Sequence, residues 1–308
     1  MNDNFPVGFI GLGTMGLPMA RRLLAQGIRL VVHDLDEQRC AELARAGAQV
    51  AASPAEVADQ ASIVLASLPT PWAVEQVALS ASGLVHGKVS RIFVDLSTAG
   101  PQTAQKVADA LAVRGITAVD APVSGGAAGA QHGTLTMMAS GPQEAVNEVR
   151  ELLQMLGKKI FYVGARAGMG QMMKLINNLL SATALAASCE GLALGARAGL
   201  DPRVMLDVLN ASTGRNSATE DKIPRAILSR SFDLGFSLQL SFKDIDLCIR
   251  SAEALGVPMW SGNHVRQFYL SALAMGGTDM ADVARCFETW AGAEIASTAS
   301  ATAAVPSA

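Results

Sequence analysis

Charge, aromatic rings and cysteine are all scarce in this sequence. Of its 308 residues 17% are charged and 5% aromatic, and the formal net charge is −3. That leaves no basic field for nucleic acid and no run of Lys and Arg interleaved with aromatics, so nucleic acid is not an expected partner. The four cysteines, Cys40, Cys189, Cys248 and Cys286, are widely spaced without a CxxC pair, and His33, His86, His132 and His264 form no ligand-spaced cluster. Neither a disulfide framework nor a zinc site is expected. The opening MNDNFP lacks a basic start, and the apolar stretch behind it is interrupted by glycines. This predicts neither a signal peptide nor a membrane anchor, and a cytoplasmic location.

Half of the residues are hydrophobic, which at this length supplies a sizeable core without covalent staples. Short β-rich runs, VGFI, LVVHD, SIVLASL, RIFVDL, TAVDAPV, LTMMAS and KIFYVG, alternate with helical patterns from Val7 to about Val163. Such alternation predicts βαβ units and a mostly parallel, doubly wound sheet. After Gly164 no convincing strand follows, and helices are predicted over about 169–198, 201–210, 242–255 and 261–275. The expected fold class is therefore α/β: a Rossmann-like domain over 1–165 and an all-α domain over 166–292, joined by a long central helix. The small, polar tail 293–308 has too little apolar surface to offset its ordering entropy and is expected to be disordered.

The segment VGFIGLGTMGLPMA sets Gly11, Leu12, Gly13, Thr14, Met15 and Gly16 in a GxGxxG loop between an apolar strand and an amphipathic helix, and Asp34 closes the next apolar run. Gly11 allows the tight turn, Gly13 the approach of a pyrophosphate, and Gly16 the packing of helix on strand. Asp34 would accept hydrogen bonds from the ribose hydroxyls and repel a 2′-phosphate, so NAD is favoured over NADP, although Arg39 weakens that preference. The bland reading is a glycine-rich turn that binds nothing, with Asp34 capping a loop.

Lys174 stands in GMGQMMKLINNLL, surrounded on every side of a helical wheel by Met169, Met172, Met173, Leu175, Ile176, Leu179 and Leu180, with Asn177 and Asn178 directly behind it. A buried ammonium is costly unless it is paired or used. Alone, such a lysine is more often a snorkelling residue whose head reaches water. Asn178 at i+4 shares its helix face, and Asn177 at i+3 lies slightly to one side. The second half of this helix is rich in Ala, Gly and Ser at close-packing spacing, which suits a helix shared by both domains or seated at a subunit interface.

Four separated motifs then agree. GFIGLGTMGLPMA, DAPVSGG at 120–126, GMGQMMKLINN at 168–178 and FKDIDL at 242–247 resemble, in order and spacing, the β-hydroxyacid dehydrogenase family, over roughly residues 5–292. That family contains 3-hydroxyisobutyrate dehydrogenase, tartronate semialdehyde reductase and threonate dehydrogenases. The resemblance implies that Lys174 is the catalytic lysine and that Asn178 positions the substrate. It implies further that Ser124, Gly125 and Gly126 hold the substrate carboxylate, and that Lys243 reaches cofactor and substrate from the second domain. Leu68, Pro69 and Thr98 would lie beside the nicotinamide half of the cofactor. Partners implied are a small hydroxy acid and further copies of the chain, as a homodimer or homotetramer built through the helical domain.

The residues themselves allow the same chemistry. An ordinary lysine titrates near 10.4, and apolar surroundings favour the neutral amine that a proton acceptor requires. Backbone amides at Gly125 and Gly126 can approach a carboxylate closely. Pro122 stands where a serine-hydrolase loop needs glycine, which argues against that class. Asp120 is read as a support for the loop after its strand. Trp72, Trp260 and Trp290 are read as core or interface. Arg215 and Asn216 are either selectors of a substrate's distal group or part of a polar surface loop over 212–225. A 6-phosphogluconate dehydrogenase-like reaction, an imine reductase-like reaction and a non-catalytic dinucleotide-binding scaffold remain as alternatives. The first lacks an evident cationic cluster for a phosphate, and retention of Lys174 weighs against the other two.

Overall fold

The computed structural model describes residues 5–296. Its contacts divide the chain into two compact units, Met1–Leu175 and Ile176–Ala308.

The first unit carries strands β1 (Val7–Ile10), β2 (Leu30–His33), β3 (Gln49–Val50), β4 (Ile63–Ala66), β5 (Ile92–Asp95), β6 (Thr117–Asp120), β7 (Val123–Ser124), β8 (Leu135–Ser140) and β9 (Gly157–Gly164). Between them run α1 (Gly16–Ala25), α2 (Glu37–Arg45), α3 (Pro54–Gln60), α4 (Pro71–Leu79), α5 (Pro101–Ala112), α6 (Gly126–His132) and α7 (Gln143–Leu156). The sheet order is β3-β2-β1-β4-β5-β6-β8-β7, with β9 beside β8. Strands β1 to β6 are parallel, whereas β8 runs antiparallel to β6 and β7. The chain reverses direction across the sheet at β1 and β4, which in doubly wound folds opens a crevice at the strands' carboxyl ends.

Why the strands read as unbroken apolar runs is clear from their packing. Val7, Phe9, Ile63, Leu65, Ile92 and Val94 belong to one core with α1 and α7, while Ile10, Val64, Ala66 and Phe93 belong to a second core on the opposite face. Successive side chains point to opposite faces, and both faces are covered. Helix starts are marked by short polar residues followed by proline: Ser53 caps α3 and Thr70 caps α4, each ahead of a proline at the first helical position. Proline there gives up an amide that has no partner inside the helix anyway.

Helix α8 (Met169–Arg197) begins in the first unit and continues into the second, which also carries α9 (Pro202–Asn210), α10 (Leu238–Ala254), α11 (Trp260–Ala274) and α12 (Val283–Ala291). Within the second unit Ala182, Leu185, Ala186, Cys189 and Leu192 form a buried stripe along α8 at three- and four-residue spacing. At 29 residues α8 is long and apolar enough by length and composition to cross a membrane, yet Gln171 and Lys174 are buried on it.

The division by contacts falls after Leu175, ten residues past the expected boundary at 165, because Gly168, Gly170 and Gln171 are hydrogen-bonded into the first unit. Several other expectations need correction. Part of the polar segment 212–225 is helical: Ala218–Leu228 forms a π-helix, whose start Asn216 caps by accepting from the Ala218 and Thr219 amides. Helix α10 begins at Leu238, earlier than the apolar pattern alone indicates, because Ser237 caps it. Trp72, Trp260 and Trp290 are exposed, so they are not core. The tail is anchored where it begins: Ile295 is fully buried and its amide donates to Glu288. The remainder of the tail, 297–308, lies outside the described residues.

Candidate active site

The glycine loop leaves β1 at Gly11, whose φ of +88° is a left-handed conformation that suits glycine. A Cβ at Gly16 would lie 1.8 Å from the carbonyl oxygen of Gly11, so the first turn of α1 touches the loop backbone directly. At Gly13 a Cβ would meet only the Arg39 guanidinium, at 3.6 Å, which leaves the backbone of the loop open to a ligand. No side chain caps α1 at Met15. An uncapped helix start behind a glycine turn suits a pyrophosphate, so the residues present fit a dinucleotide.

Asp34 ends the β2 run and turns back onto the same loop. Its Oδ2 accepts from the Leu12 amide at 2.5 Å and its Oδ1 from the Asp36 amide at 2.8 Å. Each oxygen retains a second lone pair for a ribose hydroxyl. Arg39 is ion-paired to Asp36 at 3.0 Å, and its guanidinium lies at the loop beside Gly13.

The loops after β4 and β5 are tied together. The Leu68 amide donates to Ser97 Oγ at 2.9 Å, and the Ser97 amide donates to Asp95. Gln171, fully buried on α8, donates to the Ser97 carbonyl at 3.0 Å and accepts from the amides of Ala99 and Gly100. Leu68 and Thr98 are thus held on loops pinned to the helix that carries Lys174. Sequence reasoning did not single out Gln171 or Ser97. The available signal was a second polar residue, one turn before the lysine, in an otherwise apolar helix start.

Asp120 does more than support its own loop. Its Oδ2 accepts from Ser140 Oγ at 2.8 Å and from the Gly168 amide, and Ser140 Oγ accepts from the Gly170 amide. Two strands and the entry to α8 are joined through one carboxylate. Burial is the main reason its pKa is pushed up to about 7; the hydrogen bonds from Ser140 and Gly168 act in the opposite direction, and the charge of Asp95 adds to the rise.

Ser124 ends β7, paired with Thr136 of β8, and Gly125 and Gly126 follow with φ of 134° and 63° at the start of α6. Both conformations suit glycine, and both glycines are exposed. Lys174 lies in the second turn of α8 and is only 8% exposed. Of its apolar neighbours on the same helix Leu175 and Leu179 are buried, whereas Met173, Ile176 and Leu180 are exposed.

In the second unit Asn178 donates through Nδ2 to Asp244 Oδ2 at 2.7 Å, and its Oδ1 accepts from Asn177 at 3.1 Å. Lys243 places its ammonium 3.1 Å from Asp244 Oδ1. Asn178, Lys243 and Asp244 therefore form one polar cluster, of which the sequence reading named the first two as site residues. Asn216 and Arg215 are not brought to that cluster: Asn216 is engaged as a helix cap and with Ser188, and Arg215 pairs with Glu220. Among the described residues no group of His, Cys, Asp or Glu could hold a metal ion.

Residues 6–164 match the family model described as the NAD binding domain of 6-phosphogluconate dehydrogenase. Residues 168–288 match that described as the NAD-binding of NADP-dependent 3-hydroxyisobutyrate dehydrogenase. A 2-(hydroxymethyl)glutarate dehydrogenase of Eubacterium barkeri is 35% identical over 96% of this chain and 99% of its own. A 3-hydroxyisobutyrate dehydrogenase of Pseudomonas aeruginosa is 39% identical over 81% of this chain and 86% of its own. The solved structure of Mycobacterium tuberculosis 3-hydroxyisobutyrate dehydrogenase with L-serine superimposes with a TM-score of 0.84 at 29% identity, covering 92% of this chain and 98% of that one. The chain belongs to the β-hydroxyacid dehydrogenase family and is an NAD(P)-dependent oxidoreductase acting on the CH–OH group of a hydroxy acid.

Proposed function

We propose that the substrate is a small β-hydroxy acid of the 3-hydroxyisobutyrate, glycerate or threonate type, that NAD is the preferred cofactor, and that Lys174 is the general acid and base. The observation that carries this reading is a lysine that is only 8% exposed on the helix following the dinucleotide-binding fold. The nicotinamide, when bound, supplies the hydride acceptor for the carbinol carbon. Ser124 and the amides of Gly125 and Gly126 hold the substrate carboxylate. Neutral Lys174 takes the hydroxyl proton as the hydride leaves the carbinol carbon, and in the reverse direction its ammonium returns that proton. Asn178, one turn further along α8, and Lys243 orient the substrate oxygen atoms.

Asp34 supports NAD, because a carboxylate at the ribose repels a 2′-phosphate. NADP remains the second reading, favoured by Arg39 beside Gly13 and by the description of the second family model. Leu180, 64% exposed, and Leu194, 70% exposed, support a homo-oligomer that covers this face of α8. Four buried free cysteines suit the reducing cytoplasm.

The test is cofactor reduction with 3-hydroxyisobutyrate, D-glycerate, L-threonate, L-serine, 4-hydroxybutyrate and 2-(hydroxymethyl)glutarate, each with NAD and with NADP. Turnover of at least one acid is expected. Lys174→Met should lower kcat by about 100- to 10,000-fold while NAD binding stays near normal. An unchanged kcat in that variant removes Lys174 from the mechanism, and a silent panel with tight NAD binding favours a scaffold.

A further inference from the structure

The cluster of Asn178, Lys243 and Asp244 contains one residue to which no role has been given. Asp244 is 3% exposed, and its carboxylate lies between two groups assigned to the substrate. A carboxylate can only accept hydrogen bonds, so the Asn178 carboxamide must turn its nitrogen toward Asp244 Oδ2, at 2.7 Å. Asn177 then donates to the opposite end, Oδ1, at 3.1 Å. Of the two N–H bonds on Asn178 Nδ2, one is committed to Asp244 and the other is left for a substrate oxygen. The pair of adjacent asparagines thereby has a reason: Asn177 and Asp244 hold the carboxamide of Asn178 from both ends and define its orientation.

The second oxygen of Asp244 faces a cation. Lys243 Nζ lies 3.1 Å from Oδ1, and Oδ1 accepts no hydrogen bond, so the contact is an ion pair outside hydrogen-bond geometry. A buried carboxylate is retained only where a cation and donors compensate its lost hydration. Here Lys243 supplies the charge and Asn178 the donor.

We propose that Asp244 is the positioning residue of the substrate site: one buried carboxylate sets which end of the Asn178 carboxamide faces the substrate and tethers the ammonium of Lys243. This rests on the assignment of Asn178 and Lys243 to the substrate. Asp244 touches neither substrate nor cofactor and acts through its two neighbours. In Asp244→Asn, a single carboxamide cannot satisfy both: with its oxygen toward Asn178 it presents N–H groups to the Lys243 ammonium, and with its nitrogen toward Asn178 it opposes one donor to another.

The experiment measures kcat, KM for the best acid of the panel, and NAD affinity in the wild type, Asp244→Asn, Asn178→Ala and the double variant, with thermal unfolding of each. Asp244→Asn should bind NAD within about two-fold of wild type and lose about ten- to a hundred-fold in kcat/KM, the range of a displaced supporting contact. In the Asn178→Ala background the same change should lose less than about three-fold, since much of its target is already gone. A merely structural carboxylate would lower the unfolding temperature and leave the losses additive. If Asp244→Asn does not fold, Asp244→Ser, which removes the charge and leaves room for water, takes its place with the same outcomes. Wild-type kcat/KM in either folded variant, or additive losses, overturns the proposal while leaving the general reading intact. No turnover of any acid by the wild type overturns the reading and the proposal together.

Discussion

Asp120 and Gly168, 48 positions apart, are joined by a hydrogen bond from the Gly168 amide to the Asp120 carboxylate, at the point where the chain enters the helix bearing Lys174. The carboxyl group is buried, and its pKa is pushed from 3.8 up to about 7. Within that interval the folded protein holds a proton that the unfolded chain has released, so stability falls as pH rises from about 4 to about 7 and then levels off. The two values correspond to roughly 4 kcal/mol at most. Asp120→Asn carries no charge and keeps an oxygen to accept from Ser140 and Gly168. Urea denaturation at both ends of the interval should show the stability difference between wild type and Asp120→Asn moving against the wild type as pH rises. A difference that does not change with pH would contradict the raised pKa.

Gln171 should prove as necessary as residues that touch ligands. Its replacement by leucine strands the Ser97 carbonyl and the amides of Ala99 and Gly100, all taken from water in the fold. Leaving a buried polar group unpaired costs about 1–3 kcal/mol, so the variant should lose about 3 kcal/mol or more of unfolding free energy. It should also bind NAD more weakly, because the loop carrying Thr98 is no longer held. Chemical denaturation and cofactor titration test the two effects separately.

Two glycines of the same loop should respond differently to alanine. At Gly16 the new methyl would sit 1.8 Å from the Gly11 carbonyl oxygen, backbone against backbone. Relief requires the helix to move, and the variant is expected to lose about 3 kcal/mol or more or to fail to fold. At Gly13 the methyl meets only Arg39 at an ordinary 3.6 Å. Gly13→Ala should unfold within a few degrees of the wild type yet bind NAD at least about ten-fold more weakly, since a Cβ obstructs the approach of a pyrophosphate. Calorimetry alongside fluorescence titration distinguishes the two cases.

Asp34 controls cofactor choice if it reads the ribose. Asp34→Ser keeps a short acceptor near the Leu12 amide, now 2.5 Å from the carboxylate, and removes the negative charge that would repel a 2′-phosphate. The ratio of kcat/KM with NADP to that with NAD should rise by about ten-fold or more, on the order of 1.4 kcal/mol. An unchanged ratio would mean that the 2′-position is read elsewhere.

Much of this protein follows from local pattern. The strand pattern places β1, β2, β4, β5, β6 and β8 because strands buried on both faces leave continuous apolar runs bounded by turn residues, and it places β9 from its run KIFYVG although half of that strand is exposed. The two-residue β3 passes unnoticed, since no periodicity can be read from so short an element. Helix α12 passes unnoticed too: only nine residues long, it sits between apolar segments and the small-residue tail, where its own amphipathic face is easily missed.

At the candidate site, residue identity is local and residue geometry is not. Lys174, Asn178, Ser124, Gly125, Gly126 and the glycine loop all stand in recognisable short motifs. What holds them is contributed from far along the chain: Gln171 reaches Ala99 across 72 positions, and Asn178 reaches Asp244 across 66. A polar residue in an apolar segment announces only that it needs a partner; which partner it finds depends on how sheet and helices pack. The sequence by itself determined the dinucleotide-binding half, the helical half and the lysine between them, because those are written in periodicity and turn chemistry. Only the tertiary structure decided that Lys174 is buried while Met173, Ile176 and Leu180 beside it are exposed, that burial pushes the pKa of Asp120 up, and which way the Asn178 carboxamide faces. Burial, dielectric and long-range hydrogen bonding are properties of the packed molecule, and no short stretch of chain contains them.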